Sequence, residues 1–289
     1  MKINLSDIEK KYFEEKISLS EAEPYIKKFK KKIFLIKYGG NALTDKYLAN
    51  NFAKDVVIIK KLGIYPVIVH GGGPQIDETL KKNNIKSKFL DGLRVTDAKT
   101  IKIVEKVLVS RINKKIVSLL NNAGGNAIGL PGNKNDFIKV KKIKKELGFV
   151  GKPIKIKKKI IKECQKKNLI PVVAPLGLGK DGNTYNINAD IVAGELAANL
   201  GTLRFYFLTN IKGVVNKKKK LITQINTAKA KELIKKKIIK GGMIPKVKTC
   251  LRAIKKSAQA AVILDGRVPH SLLIEIFTRR GLGTLIGRK

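Results

Sequence analysis

Two short β-rich runs end in glycine clusters: Ile33–Tyr38 leads into Gly39-Gly40, and Tyr65–His70 leads into Gly71-Gly72-Gly73. Each is followed by residues at helical spacing, 50–62 after the first cluster and the stretch beyond Pro74 after the second. Strand, glycine turn, helix and strand in succession is the pattern of βαβ units, whose strands lie parallel in one sheet with helices on its faces. The glycines also let backbone N–H groups face an anion at a helix N-terminus, and Lys37 stands at the end of the first strand beside them. Pro74 suits the first turn of the second helix. Two anion cradles on adjacent strand ends predict a ligand between them.

The rest of the chain continues in this style. A helix is expected over 96–121, strands over 127–130 and 137–143, a Lys-rich helix over 157–167 and a buried strand over 169–175. Gly177, Gly179 and Gly182 match the dinucleotide pattern G-x-G-x-x-G. The match is rejected, because Asp181-Gly182 between extended residues reads as a hairpin turn where that pattern needs a helix to begin. Helices over 189–199, 227–235 and 246–257 and strands over 204–209, 261–264 and 283–286 complete the series. Ahead of it, residues 1–32 carry Ile8, Tyr12, Ala22, Tyr25, Ile26 and Phe29 at helical spacing, with Ser6/Glu9 and Ser20/Glu23 as capping-box candidates. The apolar face of this extension needs cover from the body or from a partner helix of another subunit.

Composition narrows the chemistry. A formal charge of +40 would by itself suggest nucleic acid or a membrane surface as partner. Only eight of the 62 cations are Arg, however, and Lys comes in short runs (30–32, 157–159, 217–220, 235–237) scattered over many elements. That is how solvated faces are filled; phosphate and base recognition prefers focused Arg. Neither a nucleic acid nor a membrane is expected as partner. Cys164 and Cys250 have no paired metal or redox spacing, which fits a cytoplasmic protein. His70 and His270 are too few for a His-rich metal site, no Ser-His-Asp or Cys-His set is present, and G-x-x-x-x-G-K-[ST] does not occur. No apolar run reaches about 18 residues, and the first residues form no signal-peptide core. Chemistry must run on Lys, Asp, Arg and backbone.

Three further segments supply such groups. Asp91-Gly-Leu-Arg94-Val-Thr-Asp97 places a rare arginine in a loop before a helix, where bidentate carboxylate binding is its natural use. Asn186-Ile-Asn188-Ala-Asp190 puts amides and a carboxylate at a helix start, and Gly241-Gly-Met-Ile-Pro-Lys246 offers a second loop lysine. Together, KYGGNA (37–42), HGGGP (70–74), DGLRVTD (91–97), YNINAD (185–190), LTNIKG (208–213) and GGMIPK (241–246) resemble, in this order, the N-acetylglutamate kinases of the amino acid kinase family.

The resemblance implies a three-layer αβα sandwich with an open, mainly parallel eight-stranded sheet. It divides the chain into an N-terminal helical extension for oligomerisation (1–32), an N-terminal lobe for N-acetyl-L-glutamate (33–175) and a C-terminal lobe for ATP (176–289). The implied reaction is ATP-dependent phosphorylation of the side-chain carboxylate of N-acetyl-L-glutamate, in arginine biosynthesis. Lys37 and Lys246 are then implied to flank the phosphates, with Asp190 positioning both. Arg94 and Asn186 take the α-carboxylate, and Gly72 and Gly73 present N–H groups to the substrate side chain and the moving phosphoryl group. Gly39, Gly40, Thr209, Asn210, Gly213, Gly241 and Gly242 are the implied nucleotide contacts. Mg²⁺ enters held mainly by the ATP, with no protein metal site. A carboxylate nucleophile is already ionised at neutral pH, so no general base is required, and transfer becomes positioning plus charge compensation.

The segment LSEAEPYIKKFKKK (19–32) is similar to the extra helix of members that form hexamers and are inhibited by arginine, which implies a homo-oligomer. Two positions depart from the pattern. Arg279-Arg280 stands where arginine-sensitive members usually carry an acidic pair, so arginine should be repelled although His270 and Gly281 fit; Asn210 stands where LTD is usual. The alternatives are a degenerate kinase fold kept as scaffold or regulator, and a related carboxylate kinase with another substrate. Lys37, Asp190 and Lys246 argue against the first, and GLRVTD with NINAD against the second.

Overall fold

The computed structural model describes residues 17–39 and 45–288. Helix α1 (Leu19–Phe29) begins two residues earlier than the sequence suggested: Ser18 is its N-cap and accepts from the Glu21 backbone N–H, while the Ser20 hydroxyl lies within the first turn beside that of Ser18. The N-cap is therefore Ser18 alone, and the Ser20/Glu23 box is corrected: the Glu21 carboxylate accepts from the Arg279 backbone N–H. The other candidate, Ser6/Glu9, lies outside the described residues. The apolar face of α1 (Ala22, Ile26, Phe29) is buried on its own chain, with the Phe29 ring 5.2 Å from that of Phe34. This part of the extension thus needs no partner helix to cover it.

The main sheet grows outward from its centre. Strand β1 (Ile33–Tyr38) is followed by α2 (Lys46–Lys61), capped by Asp45, and by β2 (Tyr65–His70), which pairs with β1 in parallel with Lys37 opposite Val69. Next come α3 (Gly73–Lys82) and a small hairpin of β3 (Phe89–Leu90) and β4 (Leu93–Arg94). Helix α4 is one continuous run, Ala98–Glu105, a π-helical segment Lys106–Asn113, and Lys114–Asn122. Then follow β5 (Ala127–Pro131), β6 (Ile138–Lys142), β7 (Gly151–Ile156), α5 (Lys159–Lys166), β8 (Ile170–Ala174), and a hairpin of β9 (Leu176–Gly179) and β10 (Thr184–Asn186). The chain ends with α6 (Ala189–Leu200), β11 (Arg204–Thr209), β12 (Gln224–Asn226), α7 (Thr227–Lys235), α8 (Met243–Lys256), β13 (Ala260–Asp265), α9 (Ser271–Phe277) and β14 (Thr284–Gly287).

The eight-stranded sheet has the order β12-β14-β13-β11-β1-β2-β8-β5 and is parallel except where β13 meets β14. Its strands alternate between two cores, as the period of two requires. Phe34, Ile36, Tyr38 and Ile68 enter one, covered by α1, α2, α4 and α9; Leu35, Val67, Val69, Phe205 and Phe207 enter the other, covered by α6, α7 and α8. That is the three-layer αβα arrangement. A second sheet, β10-β9-β6-β7, sits beside it. The Asp181-Gly182 turn joins β9 to β10, with the Tyr185 hydroxyl donating to Asp181, which bears out the rejection of the dinucleotide pattern.

Candidate active site

Strand order in the sheet reverses between the parallel neighbours β1 and β11: one half builds outward through β2, β8 and β5, the other through β13 and β14. Ligands of open parallel sheets bind at the carboxyl ends of the strands beside such a switch point. A cavity of about 220 Å³ lies there, and Lys37, Gly72, Gly73, Arg94, Asn186 and Asp190 all line it. Residues from four distant segments are thereby brought to one place.

Its charged corner is built by three elements. Lys37 ends β1 and is the one buried lysine among the described residues, in a chain whose lysines otherwise keep to solvated faces. Asp190 occupies the first turn of α6, where the helix dipole favours a carboxylate, and the Asn188 side chain caps that turn by accepting from the Asp190 and Ile191 N–H groups. Lys246 lies in the first turn of α8. The Asp190 carboxylate takes Lys37 Nζ at 3.1 Å on Oδ1 and Lys246 Nζ at 3.4 Å on Oδ2. Close helix packing permits this: a Cβ on Gly194 of α6 would stand 2.6 Å from the Thr249 methyl of α8, so only glycine lets the two helices approach. Two ammoniums share one carboxylate, and the corner keeps one net positive charge.

The glycine turn after β2 is held from beneath. His70 is fully buried; its Nδ1 lies 2.9 Å from the Gly71 carbonyl and its Nε2 lies 3.1 Å from Asn113 Nδ2. A carbonyl can only accept and an amide NH₂ can only donate, so Nδ1 carries the proton and the ring is neutral. Burial drives its pKa down to about 4, with the Gly71 bond opposing in part. Asn113 also donates to the Val172 carbonyl at 2.9 Å. Gly72 packs directly on the π-helical segment: a Cβ there would lie 2.6 Å from Ile112 Cδ1 and 2.7 Å from Leu108 Cδ2.

Arg94 closes the other end of the cavity, 8% exposed, with its guanidinium 4.7 Å from the Phe89 ring centroid. Its Nη1 donates to Asp77 Oδ1 at 2.5 Å and to Ser87 Oγ at 2.7 Å, and this bond is the chief reason that the Asp77 carboxyl sits below its ordinary pKa. The Asn186 amide donates to Thr96 Oγ1 at 3.3 Å, and Thr96 in turn donates to the Arg94 carbonyl at 2.8 Å, so the two groups expected to take a carboxylate are braced by one intermediate hydroxyl.

The residues expected to contact nucleotide lie outside this cavity. Gly39 lies beside the Lys37 ammonium, Gly241 and Gly242 directly precede α8, Thr209 ends β11 next to β1, and Asn210 follows it. Gly213 packs on Thr284 of β14, whose hydroxyl accepts from Val214 N–H. Gly40 lies outside the described residues. Sequence reasoning missed Asp77, Ser87, Thr96 and Asn113. Only Asn113 left a signal: it is an amide on the buried face that continues through Ile116 and Leu120, and a buried amide needs partners.

An eight-stranded α/β sheet, a glycine-lined crevice and two lysines on one carboxylate define a protein built to handle phosphoryl groups. The chain belongs to the amino acid kinase family, whose profile matches residues 32–265. Among its curated relatives are acetylglutamate kinases: that of Zymomonas mobilis is 49% identical over 282 residues, covering 93% of this chain and 94% of that one, and that of Rhodospirillum centenum is 47% identical over 285 residues, covering 94% and 93%. Among solved structures, N-acetylglutamate synthase from Neisseria gonorrhoeae, complexed with coenzyme A and N-acetyl-glutamate, superposes with a TM-score of 0.83 at 21% identity; the match covers 93% of this chain and spans 62% of the synthase. Carbamate kinase from Giardia lamblia bound to AMP-PNP superposes at 0.66 with 16% identity, over 89% and 99%. At these identities the two structures speak for the fold alone.

Proposed function

We infer that this chain transfers the γ-phosphoryl group of ATP to the side-chain carboxylate of N-acetyl-L-glutamate, giving N-acetyl-L-glutamyl 5-phosphate, a step of arginine biosynthesis. The observation that carries the mechanism is the Lys37–Asp190–Lys246 cluster beside a cavity that also holds Arg94 and Asn186. In this reading, Arg94 and Asn186 hold the α-carboxylate at one end, and the side-chain carboxylate points at Lys37. Its oxygen attacks the γ-phosphorus while the bond to the β-phosphate bridging oxygen breaks, so ADP leaves with that electron pair. Charge spreads over the transferring oxygens, and the two lysines with the Gly72 and Gly73 N–H groups compensate it.

The lobe division at 175/176 belongs to this reading, with the acyl amino acid held by 33–175 and the nucleotide by 176–289 through Thr209, Asn210, Gly213, Gly241 and Gly242, to which Gly39 and Gly40 of the N-terminal lobe add contacts. Mg²⁺ belongs on the phosphates. Among the described residues no three His, Cys, Asp or Glu side chains gather as a metal site, and the cavity's Asp190 is engaged by both lysines, whereas Mg²⁺ is readily carried by phosphate oxygens and water. A homo-oligomeric, cytoplasmic enzyme completes the proposal. Among the described residues no helix is long and apolar enough to cross a membrane.

The test is a hydroxamate assay of purified protein with Mg-ATP and N-acetyl-L-glutamate, beside free glutamate, aspartate and carbamate. Acyl phosphate from the acetylated substrate alone is the expected result. Product from another acid would reassign the substrate, and none from any would leave a kinase fold without this activity.

A further inference from the structure

The two lysines share a second partner besides Asp190. Lys37 Nζ and Lys246 Nζ each lie 5.1 Å from the centroid of the Phe207 ring, within the range of a cation–π contact. Phe207 sits on β11 directly opposite Lys37 in the β1–β11 register, on the face covered by α6 and α8, and is fully buried. One cation reaches the ring from a strand and the other from a helix of the opposite half of the molecule.

We propose that Phe207 is a positioning residue for phosphoryl transfer, its ring holding both ammoniums where the phosphates arrive without neutralising them. The proposal rests on the kinase reading above. Bringing two ammoniums to one carboxylate in a partly desolvated corner leaves a positive charge short of partners. A second acidic side chain would supply one, but it would cancel the charge that the transition state needs and compete with phosphate for the same N–H donors. An aliphatic side chain would offer no attraction. An aromatic face attracts cations through its quadrupole, carries no formal charge and accepts no proton, and its rigidity in a packed strand fixes where the ammoniums rest.

Ring fluorination separates this role from core packing, because it drains the quadrupole in steps while keeping the ring's shape. Phe207 is replaced in the full chain by 4-fluoro-, 3,5-difluoro- and 3,4,5-trifluorophenylalanine, and acyl phosphate formation is measured. The expected result is a graded fall in kcat, reaching about 3- to 30-fold for the trifluoro protein, with KM for N-acetyl-L-glutamate unchanged because Arg94 and Asn186 are untouched. A trifluoro protein with kcat within about twofold of the parent overturns the positioning role.

A second readout needs no catalysis. Urea unfolding of the parent and trifluoro proteins, each with Lys37 or Lys37→Met, forms a double-mutant cycle. Fluorination should raise the unfolding equilibrium constant about 2- to 10-fold more when Lys37 is present than when it is absent. Additive effects overturn the ring–ammonium contact whether or not the chain is a kinase. If the unmodified protein makes no acyl phosphate, the functional reading and the positioning role that rests on it both fail, while the cycle still decides the contact.

Discussion

Replacing His70 with glutamine removes a titration that burial has moved far from its ordinary place. The folded ring resists protonation until the pH is about 4, against 6.5 for a free histidine. Between those values the unfolded chain binds more protons than the folded one, so stability rises with pH. The contribution is complete above about 6.5 and disappears as pH falls through the folded value. Integrating over that window gives a loss of about 2 kcal/mol by pH 5 and about 3 kcal/mol by pH 4. The geometry gives the same sign, since a protonated Nε2 would meet the Asn113 amide donor-to-donor. His70→Gln carries its own constant destabilisation, so the readout is the change in the gap between the two proteins. Urea unfolding followed by circular dichroism at pH 8, 7, 6 and 5 should show that gap shrinking by about 2 kcal/mol at the acid end. Asp77, Asp97, Asp181 and Asp265, all held below their ordinary values, titrate alike in both proteins and cancel. Parallel curves from pH 8 to 5 would refute the neutral, doubly bonded ring.

Lys37→Ala should lower kcat by about 100- to 1,000-fold with the circular dichroism spectrum unchanged, because it removes a transition-state charge contact; near-native turnover would show that the role belongs elsewhere. Arg94→Lys keeps the charge but loses the planar fork, so KM for the acyl amino acid should rise about 10- to 100-fold in steady-state kinetics while kcat changes less. Addition of arginine should leave the rate unchanged, since Arg279-Arg280 presents like charge; dose-dependent inhibition in the hydroxamate assay would contradict that electrostatic argument.

The central strands were legible because they are nearly continuous buried apolar runs, and glycine closes β1 and β2. Strands β1, β2 and β11 fall where the sequence put them, and the helices differ by a few residues at their ends. Five elements were not legible for physical reasons. Strand β7 holds Gly151, Pro153 and two lysines and belongs to the edge of the small sheet, so neither apolar alternation nor β-propensity marks it. The two-residue strands β3 and β4, and the three-residue β12, are too short for any period to register. Helix α9 begins at His270 with a left-handed φ of 58°, a start fixed by the bond from that ring to buried Asp55 rather than by a local cap. Lys37, Arg94, Asn186 and Asp190 could be named from motifs, whereas their supports could not. Asp77, Ser87 and Thr96 act through contacts that exist only once the chain is folded.

The π-helical segment of α4 makes chain length itself part of the site. A π turn takes up about one residue more than an α turn, so Lys106–Asn113 works as a phase adjuster between two stretches of ordinary helix. Ahead of it the helix presents Ile101 and Val104; within it Leu108 lies under Gly72 and its last residue, Asn113, is aimed at His70; beyond it Ile116 and Leu120 meet the core. Deleting one residue there would give a more regular helix with better backbone bonds, yet would swing one half about 100° against the other. Leu108 could then no longer lie under Gly72 while Asn113 reached His70. A deletion harmless to an isolated helix is therefore excluded here by the glycine turn above it, and insertions and deletions in this stretch of α4 should be filtered by activity before stability.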